Sequence, residues 1–110
     1  MIKTIKTINA AELKKKIDGK SKFRLIEVLL PEKFNEWHIP GAENIPADDL
    51  GKIALEKIKK DEEIIIYCLD IECNASNRAA NILKKLRYKN ITKYEGGKAD
   101  WKNNNYPTER

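Results

Sequence analysis

The sequence predicts an α/β fold built on a parallel sheet, and three observations predict it. Segments rich in β-branched and aromatic residues alternate along the 110-residue chain with segments whose apolar residues recur at helical spacing. The run Ile64, Ile65, Ile66 is apolar without a break, as in a strand buried on both faces. The elements read β-α-β-α-β-α-β-α-β-α, the alternation that calls for parallel strands joined by helical crossovers.

Taken in order, residues 1–8 alternate Ile2, Ile5 and Ile8 with Lys and Thr, and Thr7 and Ile8 are expected in a short edge strand. Asn9 followed by Glu12 reads as a capping box, in which each side chain takes up an amide the other end of the turn leaves open. The helix after it carries Ala10, Leu13 and Ile17 on one face and stops at Asp18 and Gly19. FRLIEVLL, residues 23–30, is the second strong strand. Glu27 within it is read as a strand-end carboxylate capping the next loop, with a place near the active site as the other reading. Pro31, whose fixed φ suits a first helical position, opens a helical turn through residue 37. HIPGA, residues 38–42, breaks that turn, because Pro40 lacks a donor and Gly41 permits a left-handed conformation. His38 is the only histidine; it is read as a hydrogen-bonded residue of this turn, with general-base work on a thiol as the alternative.

Residues 44–46 look extended, and Asp48 is expected to cap a helix with Leu50, Ile53, Ala54 and Ile58 on its apolar face. A polar turn at 61–63 leads into the Ile64 strand, which ends at Cys68. Beyond the following loop, Ala79, Ile82, Leu83 and Leu86 recur at helical spacing. Residues 88–94 are expected as a strand around Ile91, Glu95, Gly96 and Gly97 as a tight turn, and residues 99–102, with Trp101, as a terminal helix.

Composition fits a single globular domain over residues 1–110: 41% apolar and 35% charged residues, enough to bury a core. No apolar run approaches the roughly 18 residues of a membrane span, and MIKTIKTINA lacks the apolar stretch of a secretion signal. A cytoplasmic protein with reduced thiols and no membrane partner is therefore expected. The net charge of +5 comes from lysines spread along the chain without interleaved aromatics, which disfavours a nucleic-acid surface and suits attraction of small anions. Two cysteines do not make a disulfide scaffold. Their spacing is wide for a zinc clip, and with His38 a fourth ligand is still missing, so no metal and no cofactor are expected.

The chemistry points to Cys68. A thiol at the carboxyl end of a central strand, facing the amides of the next helix, is stabilised as the nucleophilic thiolate. Cys73 is the second candidate: a resolving thiol that closes a disulfide with Cys68, a nucleophile itself, or a small buried residue at the helix start. The loop residues Leu69, Asp70, Ile71, Glu72, Asn74, Ala75, Ser76, Asn77 and Arg78 are expected to surround a substrate or anion. Asn74 and Ser76 can cap the helix and donate to the anion, and Arg78 is read either as its oxyanion contact or as a surface helix residue. Asp70 and Glu72 should raise the thiol pKa and disfavour anionic donors.

Several landmarks, taken together, resemble the rhodanese-like (sulfurtransferase) domain family over residues 8–107: HIPGA after the second strand, a strand ending in Tyr67 and Cys68, a helix, then Glu95, Gly96, Gly97 and Trp101. The resemblance implies a five-stranded parallel sheet flanked by helices on both faces. It also implies a cysteine that takes a sulfane sulfur from a small donor or a protein-bound persulfide and hands it to a thiol or to cyanide. On the family pattern the nucleophile falls on Cys68, while Gly96, Gly97 and Trp101 are structural. The sequence departs from the pattern in three places. Leu29 stands where an Arg is usual, Trp37 stands where a Gly precedes the HIPGA motif, and nine residues rather than four separate Cys68 from Arg78. Counting back four residues from Arg78 instead makes Cys73 the nucleophile. These departures keep two other readings open: a rhodanese-fold binding or regulatory module without turnover, and a thiol redox protein using both cysteines.

Overall fold

Strands and helices alternate through the computed structural model, which describes residues 5–110; Ile2 of the expected alternating start lies outside them. The elements are β1 (Lys6–Ile8), α1 (Ala10–Asp18), β2 (Arg24–Glu27), α2 (Pro31–Glu36), β3 (Glu43–Asn44), α3 (Ala47–Lys57), β4 (Ile64–Tyr67), α4 (Ala75–Lys85), β5 (Ile91–Tyr94) and α5 (Gly97–Asn103). The five strands are parallel and stand in the order β1-β5-β4-β2-β3. β4 lies at the centre, with Ile66 opposite both Ile26 of β2 and Lys93 of β5.

Strand alternation then divides the core. Ile64, Ile66 and Cys68 face α3 and α4, packing with Leu50, Ala54, Ala79 and Leu83. Ile65 and Tyr67 face the other way, with Leu13 of α1 and Trp101 of α5. All four residues of β4 are fully buried, as the unbroken apolar run requires. Trp101 anchors the second layer: its ring meets Tyr94 and Tyr106 edge-on, and its Nε1 donates to the carbonyl of Pro107 at 2.8 Å. The capping box at α1 forms as expected, with Glu12 N donating to Asn9 Oδ1 at 2.8 Å and Asn9 N to Glu12 Oε1 at 3.0 Å.

Several boundaries differ from the sequence expectation, each for a long-range reason. β2 covers four residues rather than eight: after Val28 N reaches the carbonyl of Tyr67, β4 turns away and offers no further partner. β5 begins at Ile91 because α4 ends in a tight turn with Arg87 left-handed and Tyr88 N bonded back to the carbonyl of Leu83. The Tyr88 hydroxyl is then drawn to the carbonyls of Ala54 and Ile58. α3 starts two residues early, with Pro46 at its cap and no side-chain capping bond; Asp48 sits inside the first turn. β3 is displaced to Glu43–Asn44, where the Asn44 amide bonds the carbonyls of Glu27 and Leu29. α5 takes in Gly97, two residues before the expected start.

Candidate active site

Cys68 follows β4 directly, so alternation turns its side chain toward the α3–α4 layer, where it is 2% exposed. Its backbone is held from the other side of the sheet. The amides of Lys98 and Ala99, in the first turn of α5, donate to the carbonyls of Cys68 (3.0 Å) and Leu69 (2.8 Å). Gly97 makes this clamp possible. Its φ is +64°, and a Cβ there would fall 2.4 Å from the Cys68 oxygen and 2.9 Å from the Asp70 nitrogen.

From Leu69 the chain runs over the surface, leaving Leu69 and Ile71 exposed. It then doubles back. Cys73 N donates to the Asp70 carbonyl at 3.2 Å, and Glu72 N donates to Asp70 Oδ1 at 3.1 Å, closing a turn over residues 70–73. The turn returns Cys73 to Cys68. The Cys68 thiol lies 3.6 Å from the Cys73 carbonyl oxygen and 4.0 Å from that of Asp70. Both thiols are free.

α4 begins immediately afterwards, with Asn74 at its cap. The Asn74 side chain makes no capping bond, contrary to expectation. Ser76 is buried in the first turn, where its amide and hydroxyl both bond the Cys68 sulfur. The Cys73 sulfur receives the amides of Leu69 and Ala75. Each sulfur thus takes one amide from the positive end of the same helix.

The surroundings nevertheless separate the two thiols. Burial pushes the Cys68 thiol up, its bond with Cys73 adds to this, and the two bonds from Ser76 only partly oppose it. Cys73 is less buried. Burial raises it too, but the thiol of Cys68 and the amides of Leu69 and Ala75 together bring it below the ordinary value, against the charge of Asp70. The thiolate forms more readily on Cys73.

The other expected residues are distributed around this pair. Arg78 lies in the first turns of α4 and donates to Asp48 of α3 at 2.6 Å, an exposed ion pair. Asn77 carries a hydrogen bond from Lys93. His38 is remote in its bonding: its Nδ1 meets the Phe34 carbonyl, its Nε2 meets Glu109, and its ring stacks on Phe34 at 3.8 Å. Trp37 packs over the second layer beneath the Lys98 ammonium, 4.7 Å from its ring centre.

The sequence reading missed Lys98 altogether, and Glu27, expected to cap the next loop, instead turns its carboxylate into the core to meet it. Lys98, 2% exposed, bonds Glu27 at 3.2 Å and the Lys33 carbonyl at 2.7 Å, while the Tyr67 hydroxyl donates to Glu27 at 2.9 Å. Glu27 is fully buried. Lys98 therefore holds the loop by its amide at Cys68, while its side chain ties β2 to α2. The only sequence signal was a lysine placed directly after the Gly pair, among residues that otherwise face the core.

A family model for the Rhodanese-like domain matches residues 9–104. The chain belongs to the rhodanese-like domain family. This rhodanese-like domain is 30% identical over 98 residues to the candidate sulfur carrier protein YrkF of Bacillus subtilis, aligning 89% of its own length with 51% of YrkF. It is 36% identical over 83 residues to the uncharacterized protein YqhL of the same organism, covering 76% of this chain and 64% of YqhL. The domain thus spans about half the length of the first of these relatives and just under two thirds of the second. Among solved structures, the rhodanese-like domain of the Alr3790 protein from Anabaena superposes with a TM-score of 0.87 at 28% identity, covering 96% of this chain and 80% of that one. The BH2092 protein from Bacillus halodurans does so with the same score at 27% identity, covering 94% and 76%. Sulfur transfer is thereby supported at the level of the family. No helix among the described residues is long and apolar enough to cross a membrane.

Proposed function

We propose that this rhodanese-like domain is a sulfurtransferase or persulfide carrier that moves a sulfane sulfur through a cysteine persulfide, and that it works in the cytoplasm. The observation that carries the reading is the pair of free thiols at the mouth of α4, each with amide donors aimed at its sulfur. In this reading sulfur enters on Cys73. That reverses the order expected from the sequence, which put Cys68 first. Cys73 is the more exposed of the two, and its surroundings favour the thiolate, whereas Cys68 is kept as the thiol.

The step needs no general base. The Cys73 thiolate attacks the outer sulfur of a donor such as thiosulfate, the sulfur–sulfur bond of the donor breaks, and sulfite leaves with the electron pair. The amides of Leu69 and Ala75 then hold the persulfide anion. An acceptor thiolate or cyanide attacks the outer sulfur and returns Cys73 as its thiolate. Asp70 and Glu72 set negative charge on the approach, which favours an uncharged or protein-bound donor over a small anion. Leu69 and Ile71, exposed on the same loop, give a protein donor apolar surface to meet.

Mass spectrometry of Cys68→Ser and Cys73→Ser after incubation with thiosulfate or glutathione persulfide tests this. A gain of about 32 Da kept by Cys68→Ser and lost by Cys73→Ser is expected. A gain seen only in Cys73→Ser returns the nucleophile to Cys68, and none in either variant removes the sulfur-transfer reading.

A further inference from the structure

The geometry points to a second outlet for the sulfur: Cys68 resolves a persulfide on Cys73, releasing hydrosulfide and leaving a Cys68–Cys73 disulfide. The inference rests on sulfur entering this loop, as proposed above, and adds an activity to it: reduction of a sulfane sulfur to sulfide within one chain.

The turn at 70–73 is the reason. A loop with no turn would leave its second thiol at the surface, away from the first. Here the bond from Cys73 N to the Asp70 carbonyl, with Asp70 Oδ1 capping Glu72, folds the residues between the cysteines back on themselves. The Cys68 sulfur is left 3.6 Å from the carbonyl oxygen of Cys73, the residue that carries the second thiol. Cys68 cannot meet a bulky acceptor from its buried position. It can meet the sulfur of Cys73. Of the sulfurs that Cys73 would carry, the inner one belongs to the residue whose carbonyl Cys68 already meets.

The step balances. The persulfide on Cys73 is Cys73–S–S⁻, and Cys68 enters as the thiol. The Cys68 sulfur bonds the Cys73 sulfur, the bond to the outer sulfur breaks, and that sulfur departs as HS⁻ with the electron pair and the proton of Cys68. The sulfane sulfur is reduced to sulfide, and the two cysteines are oxidised to the disulfide. Cys68 Sγ donates toward the backbone carbonyl of Cys73 at 3.6 Å, so its proton is held beside the residue that carries the persulfide. A second turnover requires an external dithiol to reduce the disulfide. When an acceptor thiol is present it competes with Cys68 for the same persulfide, so the loop partitions sulfur between transfer and release.

Single turnover on the reduced wild-type chain, freed of other thiols and given thiosulfate without an acceptor, tests the inference. Hydrosulfide stoichiometric with the chain is expected, together with a loss of about 2 Da and a peptide linking Cys68 to Cys73. Cys68→Ser, and Cys68→Ala as a second variant should the first not fold, are expected to retain the added sulfur and release none. A wild-type chain that holds the added sulfur stably, with no linked peptide and no hydrosulfide, overturns the inference and leaves the transfer function standing. If wild type and both Cys68 variants all fail to take up sulfur, the underlying reading falls as well.

Discussion

Replacing Gly97 with Ala tests how the active loop is held. The new Cβ would lie 2.4 Å from the Cys68 oxygen, 2.8 Å from the Leu69 carbonyl carbon and 2.9 Å from the Asp70 nitrogen, all backbone atoms that no rotamer change can move. The left-handed φ of +64° adds about 1–2 kcal/mol of strain for any residue with a Cβ. To clear the methyl group, the loop has to leave α5, and the bonds from Lys98 and Ala99 to Cys68 and Leu69 go with it. At about 1 kcal/mol for each, the total comes to roughly 3–4 kcal/mol. That is a large share of the stability of a domain this size and lowers the melting temperature by more than about 12 °C. Gly41→Ala is the control: φ there is +86°, but nothing lies within 4 Å of the added Cβ, so only the strain applies. Urea unfolding of both variants measures the difference, and the rate of sulfur uptake shows whether the loop has moved. A Gly97→Ala chain that loses no more stability than Gly41→Ala and takes up sulfur at the wild-type rate refutes the clamp.

Other perturbations read the remaining parts of the site. Lys98→Met leaves the fully buried Glu27 without its cation and should cost about 3–5 kcal/mol by denaturant unfolding, with Glu27→Leu/Lys98→Met closer to wild type than the single change. Burial raises the Glu27 pKa above 4.5 despite the opposing charge of Lys98, so the folded chain holds that proton more tightly than the unfolded one. Its contribution is therefore full below pH 4.5 and fades as pH rises through the folded value; Glu27→Gln should flatten that part of the stability–pH curve. Iodoacetamide should label Cys73 ahead of Cys68, with a midpoint below 9.0 that moves upward in Cys68→Ala, because the Cys68 thiol no longer donates to it. Asp70→Asn and Glu72→Gln should raise the rate with thiosulfate, and an unchanged rate rules out charge on the loop as the determinant of donor choice.

Much of the fold is local and was therefore legible. The capping box needs only Asn9 and Glu12, the left-handed turn in HIPGA needs only Gly41, and the burial of β4 follows from three consecutive isoleucines. Strand lengths were less legible, because a ladder ends where its partner leaves. Nothing within residues 23–30 indicates that β4 turns off beside Val28. The site divides in the same way. That a cysteine ends the central strand, ahead of a helix whose amides point back, can be read from residues 64–86 alone.

The environment of each thiol cannot be read that way, since it depends on groups the chain brings in from elsewhere. Cys68 is buried by α3 and α4 and clamped by the start of α5, while the return of Cys73 depends on a turn whose purpose shows only once both sulfurs are in place. Lys98 carries no local mark of its partner in the sequence; that partner, Glu27, stands 71 positions away, and only the closing of the sheet brings the two charges together out of water. Sequence alone determined the order of the elements and the loop that carries the sulfur chemistry, because hydrophobic period and turn geometry act over a few residues. Tertiary structure alone decided how the surroundings of the two thiols differ, because desolvation and hydrogen bonding depend on neighbours that are distant along the chain.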